Sequence, residues 1–336
     1  MKTLRFMKIM LACISLNVML FEFGGDSSPV IEKQLQFAQF AAISSFPILR
    51  ALAEYIHKRA ALLDPAPYLS PESDSRLASW FLPPEQVVGE WLVFITIFVG
   101  TLCFGAPGLV WSRKFHLSSA GRYFVAVLFL LSLASLLAIV YYKFRAFLEL
   151  GEWFALLYLL QPCHVLMTGY VFLGYGVLKS SHVTIGKWMT LFHVLFDLQW
   201  FTWVAIALPD LEALLQRDFL GEYFLFYFEH ILLIVLPYLY LGVFEGAKST
   251  DRRHRALHSL AWFGLHHIQV MTPVSLVSGV QINYQTHLPP YALPWFGRWY
   301  KTVITLASFG MIIAFACIVD PIAKRAIERR GREKFV

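Results

Sequence analysis

The stretch "RYFVAVLFLLSLASLLAIVYY", Arg122 to Tyr142, decides the fold class. Between its flanking arginine and tyrosines it contains no charged residue, and a helix needs roughly 20 such apolar residues to cross a bilayer. The whole chain of 336 residues shares this character, with 58% hydrophobic and 15% charged residues. Soluble domains usually contain about 25% charged residues. The sequence therefore predicts a polytopic membrane protein.

Several other stretches have the same length and composition. Aromatic residues lie at many of their ends, as expected at the membrane interface. The sequence predicts an all-α transmembrane bundle of seven or eight spans. The seven clear candidates are Trp91–Trp111, Arg122–Tyr142, Trp153–Leu178, Lys187–Leu208, Glu222–Phe244, His258–Val280 and Lys301–Val319.

The segments outside the bundle are predicted from charge and composition. Residues 1–23 have a basic start and a short apolar core, which is typical of a signal peptide or a signal-anchor. Residues 24–79 are predicted to form a lumenal region with short helices and a linker, and residues 80–322 the bundle. Lys and Arg concentrate in alternate loops and in the tail, residues 323–336, which predicts a cytoplasmic tail. The net charge of +6 follows from this topology and does not indicate nucleic-acid binding.

Ionisable side chains concentrate in four consecutive predicted spans. Such residues are costly in hydrocarbon and by default indicate a functional site. Counting about 1.5 Å per helical residue from the span ends places several of them near the same depth. We expect one shared polar pocket near the midplane. Its candidates are Cys163, His164, His193, Asp197, Glu229, His230, His266 and His267.

The central candidate stretch is "LLQPCHVLM", Leu159 to Met167. Pro162 should interrupt the helix and free a carbonyl near Tyr158. A thiolate at Cys163 could act as a nucleophile if a histidine takes its proton, which suits acyl transfer. Because neighbouring helical residues point about 100° apart, we expect that histidine to come from another helix. Two other functions stay open: a haem or metal site ligated by transmembrane histidines, and a small-solute transporter.

The order of several short motifs resembles that of the transmembrane protein 164 family of eukaryotic membrane proteins. "LLQPCHVLM" is similar to that family's Asn-Pro-Cys-His stretch, with Gln161 in place of the asparagine. The resemblance continues in three further stretches and in "DPIAK" near the C-terminus. These three stretches are "YFEHILLIVLPYLYL" at Tyr227–Leu241, "LHHIQVMTPVSLVSGVQINYQ" at Leu265–Gln285 and "FGRWYK" at Phe296–Lys301.

The resemblance implies an integral-membrane acyltransferase that acts on lysophospholipids, including ether-linked ones, through a thioester on Cys163. It implies His230 as the general base, with His267 as the alternative, and it requires no cofactor and no metal. The expected partners are membrane phospholipids, lysophospholipids and an acyl donor, either a phospholipid or acyl-CoA. The expected location is the endoplasmic reticulum or another endomembrane. Around the substrate we place His164, Asp197, Glu229, His266 and Asn283.

Overall fold

A computed structural model describes residues 117–180, 185–207, 220–244, 252–278 and 300–333, together with isolated positions near residues 51, 94–103 and 209. These residues are almost entirely helical, and none of the residues in these ranges forms a β-strand. The helices are, in chain order, α1 (Ser119–Leu150), α2 (Pro162–Lys179), α3 (Ile185–Leu198), α4 (Trp200–Ala207), α5 (Leu220–Val243), α6 (Arg252–Phe263), α7 (Thr272–Ser278), α8 (Tyr300–Ala314) and α9 (Asp320–Glu333). The predicted all-α class is confirmed.

Four helical stretches are long and apolar enough to cross a membrane, and a bent pair adds a fifth if it counts as one span. The prediction of seven or eight spans is therefore not supported within the described residues. Most of predicted span Trp91–Trp111 lies outside them. Predicted span His258–Val280 is divided among pieces of 12, 8 and 7 residues, each too short to cross alone. The four stretches are Ser119–Leu150, Trp188–Ala207, Leu220–Val243 and Val303–Ala326.

Helix α1 is longer than the apolar stretch that predicted it. The Ser118 hydroxyl accepts the backbone N–H of Gly121 at 3.1 Å and caps the first turn. At the other end Gly151 adopts a left-handed conformation with φ of 69°, which ends the helix without a Cβ penalty. The 32 residues between these caps include Lys143, which the sequence placed in a loop between spans. This placement was wrong, because Lys143 has a buried partner on another helix.

The interruption at Pro162 is confirmed. A 3-10 helix, Trp153–Leu160, is followed by α2, and the two axes differ by 62°. Pro162 is the first residue of α2, where its missing N–H leaves no internal hydrogen bond unmade. The bend therefore places Cys163 and His164 in the first turn of a new helix.

The described chain divides into two compact units. The larger unit comprises Thr101–Phe263 and Ile304–Val336. In it, α1 packs against α2, α5 and the 3-10 helix, while α3 packs against α2 and α6. Glycines allow close approach between α2 and its neighbours, as is common in membrane bundles: Gly174 faces the side chain of Tyr240, and Gly176 faces the ring of Trp188. These contacts hold the C-terminal part of α2 against α5 and α3.

The other unit comprises Met1–Gly100 and Gly264–Val303. Its described part includes a π-helix, Gly264–Met271, that continues into α7. His267 is buried in this unit, and its carbonyl accepts the Thr272 hydroxyl at 3.5 Å. The unit therefore contains two of the predicted site histidines, His266 and His267.

Candidate functional site

Three chemically different side chains meet where α2 begins beside α5. One potential ligand atom from each of Cys163, His164 and Glu229 lies within 4.8 Å of the other two. His164 and Glu229 are 6% and 2% exposed, whereas Cys163 is partly exposed. We call these three residues the Cys–His–Glu cluster. It combines a thiol, an imidazole and a carboxyl group in one largely buried place.

The first turn of α2 presents Cys163 to this cluster. The first backbone N–H groups of a helix have no internal partner and form its positive end. Cys163 is the second residue of α2 and lies in this first turn. The helix end favours negative charge placed beside it, whereas burial and the neighbouring Glu229 carboxylate disfavour that charge.

A backbone carbonyl fixes the orientation of His164. Its Nδ1–H donates to the carbonyl oxygen of Tyr158 at 2.7 Å, across the bend. This is the carbonyl region that the sequence predicted would be freed by Pro162. With the proton on Nδ1, the Nε2 atom carries the lone pair of the neutral ring, and it lies 3.5 Å from Glu229 Oε2. The imidazole is thus held ready to accept a proton on Nε2.

Glu229 is the least satisfied member of the cluster. Its Oε1 atom is buried and has no hydrogen-bond partner among the described residues. Burial of a carboxylate is costly unless it is paired and hydrogen-bonded. The sequence left open whether Glu229 faces away from the site or orients a neighbour. The structure places it against His164.

A buried ion pair includes Glu222, which lies about two turns before Glu229 on α5. Lys143 Nζ contacts Glu222 Oε1 at 2.6 Å, and both side chains are buried. The ammonium also lies 5.6 Å from the centre of the Tyr158 ring, whose carbonyl orients His164. Sequence reasoning missed this pair, since the two residues are distant in the chain and each was assigned near a span end.

The other predicted histidines have different positions. His230 is buried, and its Nδ1–H donates to the Phe226 carbonyl at 2.7 Å, one turn earlier on α5. It is not a member of the Cys–His–Glu cluster. His266 and His267 belong to the unit formed by Met1–Gly100 and Gly264–Val303. Asn283 lies outside the described residues.

Asp197 belongs to a separate buried network. Its carboxylate binds Arg255 through two guanidinium nitrogens and accepts the Ser259 hydroxyl at 2.8 Å. The sequence suggested a partner in His193 one turn away and a place in the substrate pocket. Its bonds to α6 show a structural role that the sequence prediction did not include.

The same network continues to the last helix. Arg255 Nη1 lies 2.8 Å from Asp320 Oδ2, and Lys324 Nζ lies 3.0 Å from the same oxygen. Burial alone would lower the pKa of Arg255, but the charges of Asp197 and Asp320 raise it above its ordinary value. The guanidinium therefore stays charged and links α3, α6 and α9. The charge count had placed Arg255 among the basic residues of a loop between two predicted spans, but Arg255 lies in α6 and its side chain is 2% exposed.

These features define the class of protein: a helical membrane protein with ionisable residues buried between its spans. Over 141 residues the chain is 29% identical to the transmembrane protein 164 homolog of Dictyostelium discoideum. The match covers 42% of this chain and 47% of that relative, so the chain matches about half of the relative's length. It agrees with the resemblance that the motifs indicated. No family model matches the chain, and no solved structure matches it.

Proposed function

We propose that this protein is a membrane acyltransferase that moves a fatty acyl chain to a lysophospholipid, including ether-linked ones, through a thioester on Cys163. The observation that supports it most is the Cys–His–Glu cluster, in which a ring nitrogen of His164 and an oxygen of Glu229 lie within 4.8 Å of the thiol. Cys163 and His164 lie in a bent apolar segment and Glu229 in a helix long enough to cross the membrane, so a lipid ester is a suitable substrate. The similarity to the transmembrane protein 164 homolog agrees with the family resemblance that led to the acyltransferase expectation.

In the first half-reaction His164 Nε2 takes the thiol proton, and the thiolate attacks the carbonyl carbon of the donor ester or thioester. The N–H groups at the start of α2 stabilise the oxyanion. The bond from carbon to the donor's oxygen or sulfur then breaks, and the imidazolium returns its proton to that leaving group. In the second half-reaction the lysophospholipid hydroxyl gives its proton to the imidazole and attacks the thioester. The new ester forms, the carbon–sulfur bond breaks, and the thiolate recovers the proton.

The base in this mechanism differs from the one expected from sequence. An adjacent histidine was expected to point away from the thiol, and His230 or His267 was the expected base. The bend at Pro162 and the Tyr158 carbonyl instead bring the His164 ring to the thiol. In the proposal His164 is therefore the base in place of His230, and the role expected of His267 stays a prediction.

The test is acyl exchange in proteoliposomes that contain a labelled lysophospholipid and an unlabelled phospholipid donor. Cys163→Ala should abolish exchange, whereas Cys317→Ala, which removes an exposed cysteine from another helix, should keep it. His164→Ala should be as severe as Cys163→Ala, and His230→Ala milder. Exchange that survives Cys163→Ala would overturn the proposal.

The same preparation tests the rival functions. A transmembrane haem protein would show a Soret band, and a transporter would give solute flux into liposomes that persists in Cys163→Ala. The proposal also retains the finer topology of seven spans and an endomembrane location. Accessibility of single cysteines placed in each predicted loop would test the span count.

A further inference from the structure

The Cys–His–Glu cluster has the composition of a transition-metal site. Thiolate, imidazole and carboxylate are the ligands that Zn²⁺ takes in proteins. Many zinc sites have three protein ligands and leave the fourth position open to water or another ligand. Here Cys163, His164 and Glu229 supply one of each, with their ligand atoms within 4.8 Å of one another. The ligand set disfavours Mg²⁺ and Ca²⁺, which prefer oxygen ligands.

The orientation of His164 fits metal ligation. Histidines that bind metals almost always donate their other ring N–H to a carbonyl or carboxylate, which fixes the tautomer. The His164 Nδ1–H donates to the Tyr158 carbonyl at 2.7 Å, so the Nε2 lone pair is directed to the cluster. Glu229 Oε2 lies 3.5 Å from that Nε2, close to the separation expected for two ligands of one tetrahedral ion.

The charge of the cluster also favours binding of a cation. Glu229 is 2% exposed, and its Oε1 atom has no hydrogen-bond partner among the described residues. A buried carboxylate of this kind is stabilised when it coordinates a cation. A deprotonated Cys163 would add a second negative charge beside it. One divalent ion would neutralise both charges and use the orphaned oxygen.

We propose that Cys163, His164 and Glu229 bind one soft divalent cation of the Zn²⁺ class, and that the bound ion reversibly inhibits the protein. On binding, a sulfur–metal bond replaces the sulfur–hydrogen bond, and the thiol proton is released to solvent. The inhibition rests on the proposed function, because the ion occupies the lone pairs of the nucleophile and of the base. Metal binding itself does not depend on that function.

Titration of the full-length, detergent-solubilised protein with Co²⁺, the spectroscopic substitute for Zn²⁺, tests the binding. We expect one equivalent to give ligand-field bands and a thiolate-to-cobalt charge-transfer band, and Zn²⁺ to remove both. Cys163→Ser should lose the charge-transfer band, while Cys103→Ser and Cys317→Ser, which alter exposed cysteines, should keep it. Glu229→Gln should weaken Co²⁺ binding at least tenfold. A band that is absent from the wild type, or that persists in Cys163→Ser, would overturn the site.

Acyl exchange measured beside the titration separates the two proposals. Zn²⁺ at saturating occupancy should abolish exchange, and a chelator should restore it. If Zn²⁺ binds through Cys163 and exchange is unaffected, the inhibition is refuted. If cobalt binds as expected and no preparation exchanges acyl chains, the metal site stands and the acyltransferase fails. If exchange depends on Cys163 but no cobalt–thiolate band forms, the acyltransferase stands and the metal site fails.

Discussion

Asp197→Ala should strongly lower the free energy of unfolding and have little effect on substrate binding. Asp197 is fully buried and accepts three hydrogen bonds, two from Arg255 and one from Ser259. Removing it leaves the Arg255 guanidinium, which is 2% exposed, with Asp320 at 2.8 Å as its remaining ion-pair partner among the described residues. The free energy of unfolding should therefore fall by the amount typical of a broken buried ion pair, not of a lost surface contact.

Breaking a buried pair by removing one partner costs about 3–5 kcal/mol. Because Asp320 still compensates part of the Arg255 charge, we expect Asp197→Ala to lie at the lower end of that range. Ser259→Ala removes only one hydrogen bond to the same carboxylate and should cost about 1–2 kcal/mol. The free energy of unfolding, measured by SDS titration of the protein in mixed micelles, distinguishes these two values.

A double variant serves as the control for the mechanism. Asp197→Leu combined with Arg255→Met replaces the pair with apolar side chains, and such replacements are often neutral or stabilising. It should recover part of the stability that Asp197→Leu alone loses, because Asp320 loses Arg255 but keeps Lys324 as an ion-pair partner at 3.0 Å. A change below about 0.5 kcal/mol in Asp197→Ala, the level of an ordinary surface substitution, would refute the buried-network reasoning.

Two further outcomes follow from helix packing and from protonation. Gly176→Ala places a Cβ against the Trp188 ring and should lower the free energy of unfolding by about 1–3 kcal/mol through overpacking. Gly310→Ala has open space around it and should be neutral or stabilising in the same SDS titration. Equal effects of the two alanines would contradict the close approach of α2 and α3. Burial lowers the pKa of His258 in the folded state. Below about pH 6.5 the unfolded state therefore binds more protons than the folded state, and the free energy of unfolding falls as the pH falls through that value. His258→Gln should therefore lose less thermal stability than the wild type between about pH 7.5 and about pH 5.5, and an identical loss would exclude this group as a source of the pH dependence.

The sequence predicted those features of the fold that depend on local composition. Apolar length indicated the helices that became α1 and α5, and Pro162 indicated the bend between the 3-10 helix and α2. The ends of helices were less predictable. Lys143 looked like a loop residue because a lysine in hydrocarbon is costly, but a partner 79 residues away makes its burial possible.

The candidate site shows the same division. Sequence reasoning identified Cys163 and listed Glu229 among its neighbours, because ionisable residues in apolar stretches are rare. It expected the base on another helix because adjacent helical residues diverge, and the family resemblance implied His230. Both residues lie in α2, but the Tyr158 carbonyl across the bend orients the ring of His164, and a ring nitrogen of His164 lies within 4.8 Å of the thiol. A contact across a bend is not encoded in residue spacing.

The most direct test of the proposed chemistry is the detection of a covalent acyl intermediate. The purified protein would be incubated with a phospholipid donor without acceptor, quenched in acid and analysed by mass spectrometry of its proteolytic peptides. The proposal predicts a fatty acyl mass on the peptide that contains Cys163. Neutral hydroxylamine should remove this mass, as it removes a thioester, and Cys163→Ser should carry no such hydroxylamine-sensitive mass. It further predicts that addition of lysophospholipid discharges the label into product. A protein that exchanges acyl chains while Cys163 remains unmodified under these conditions would contradict the central claim.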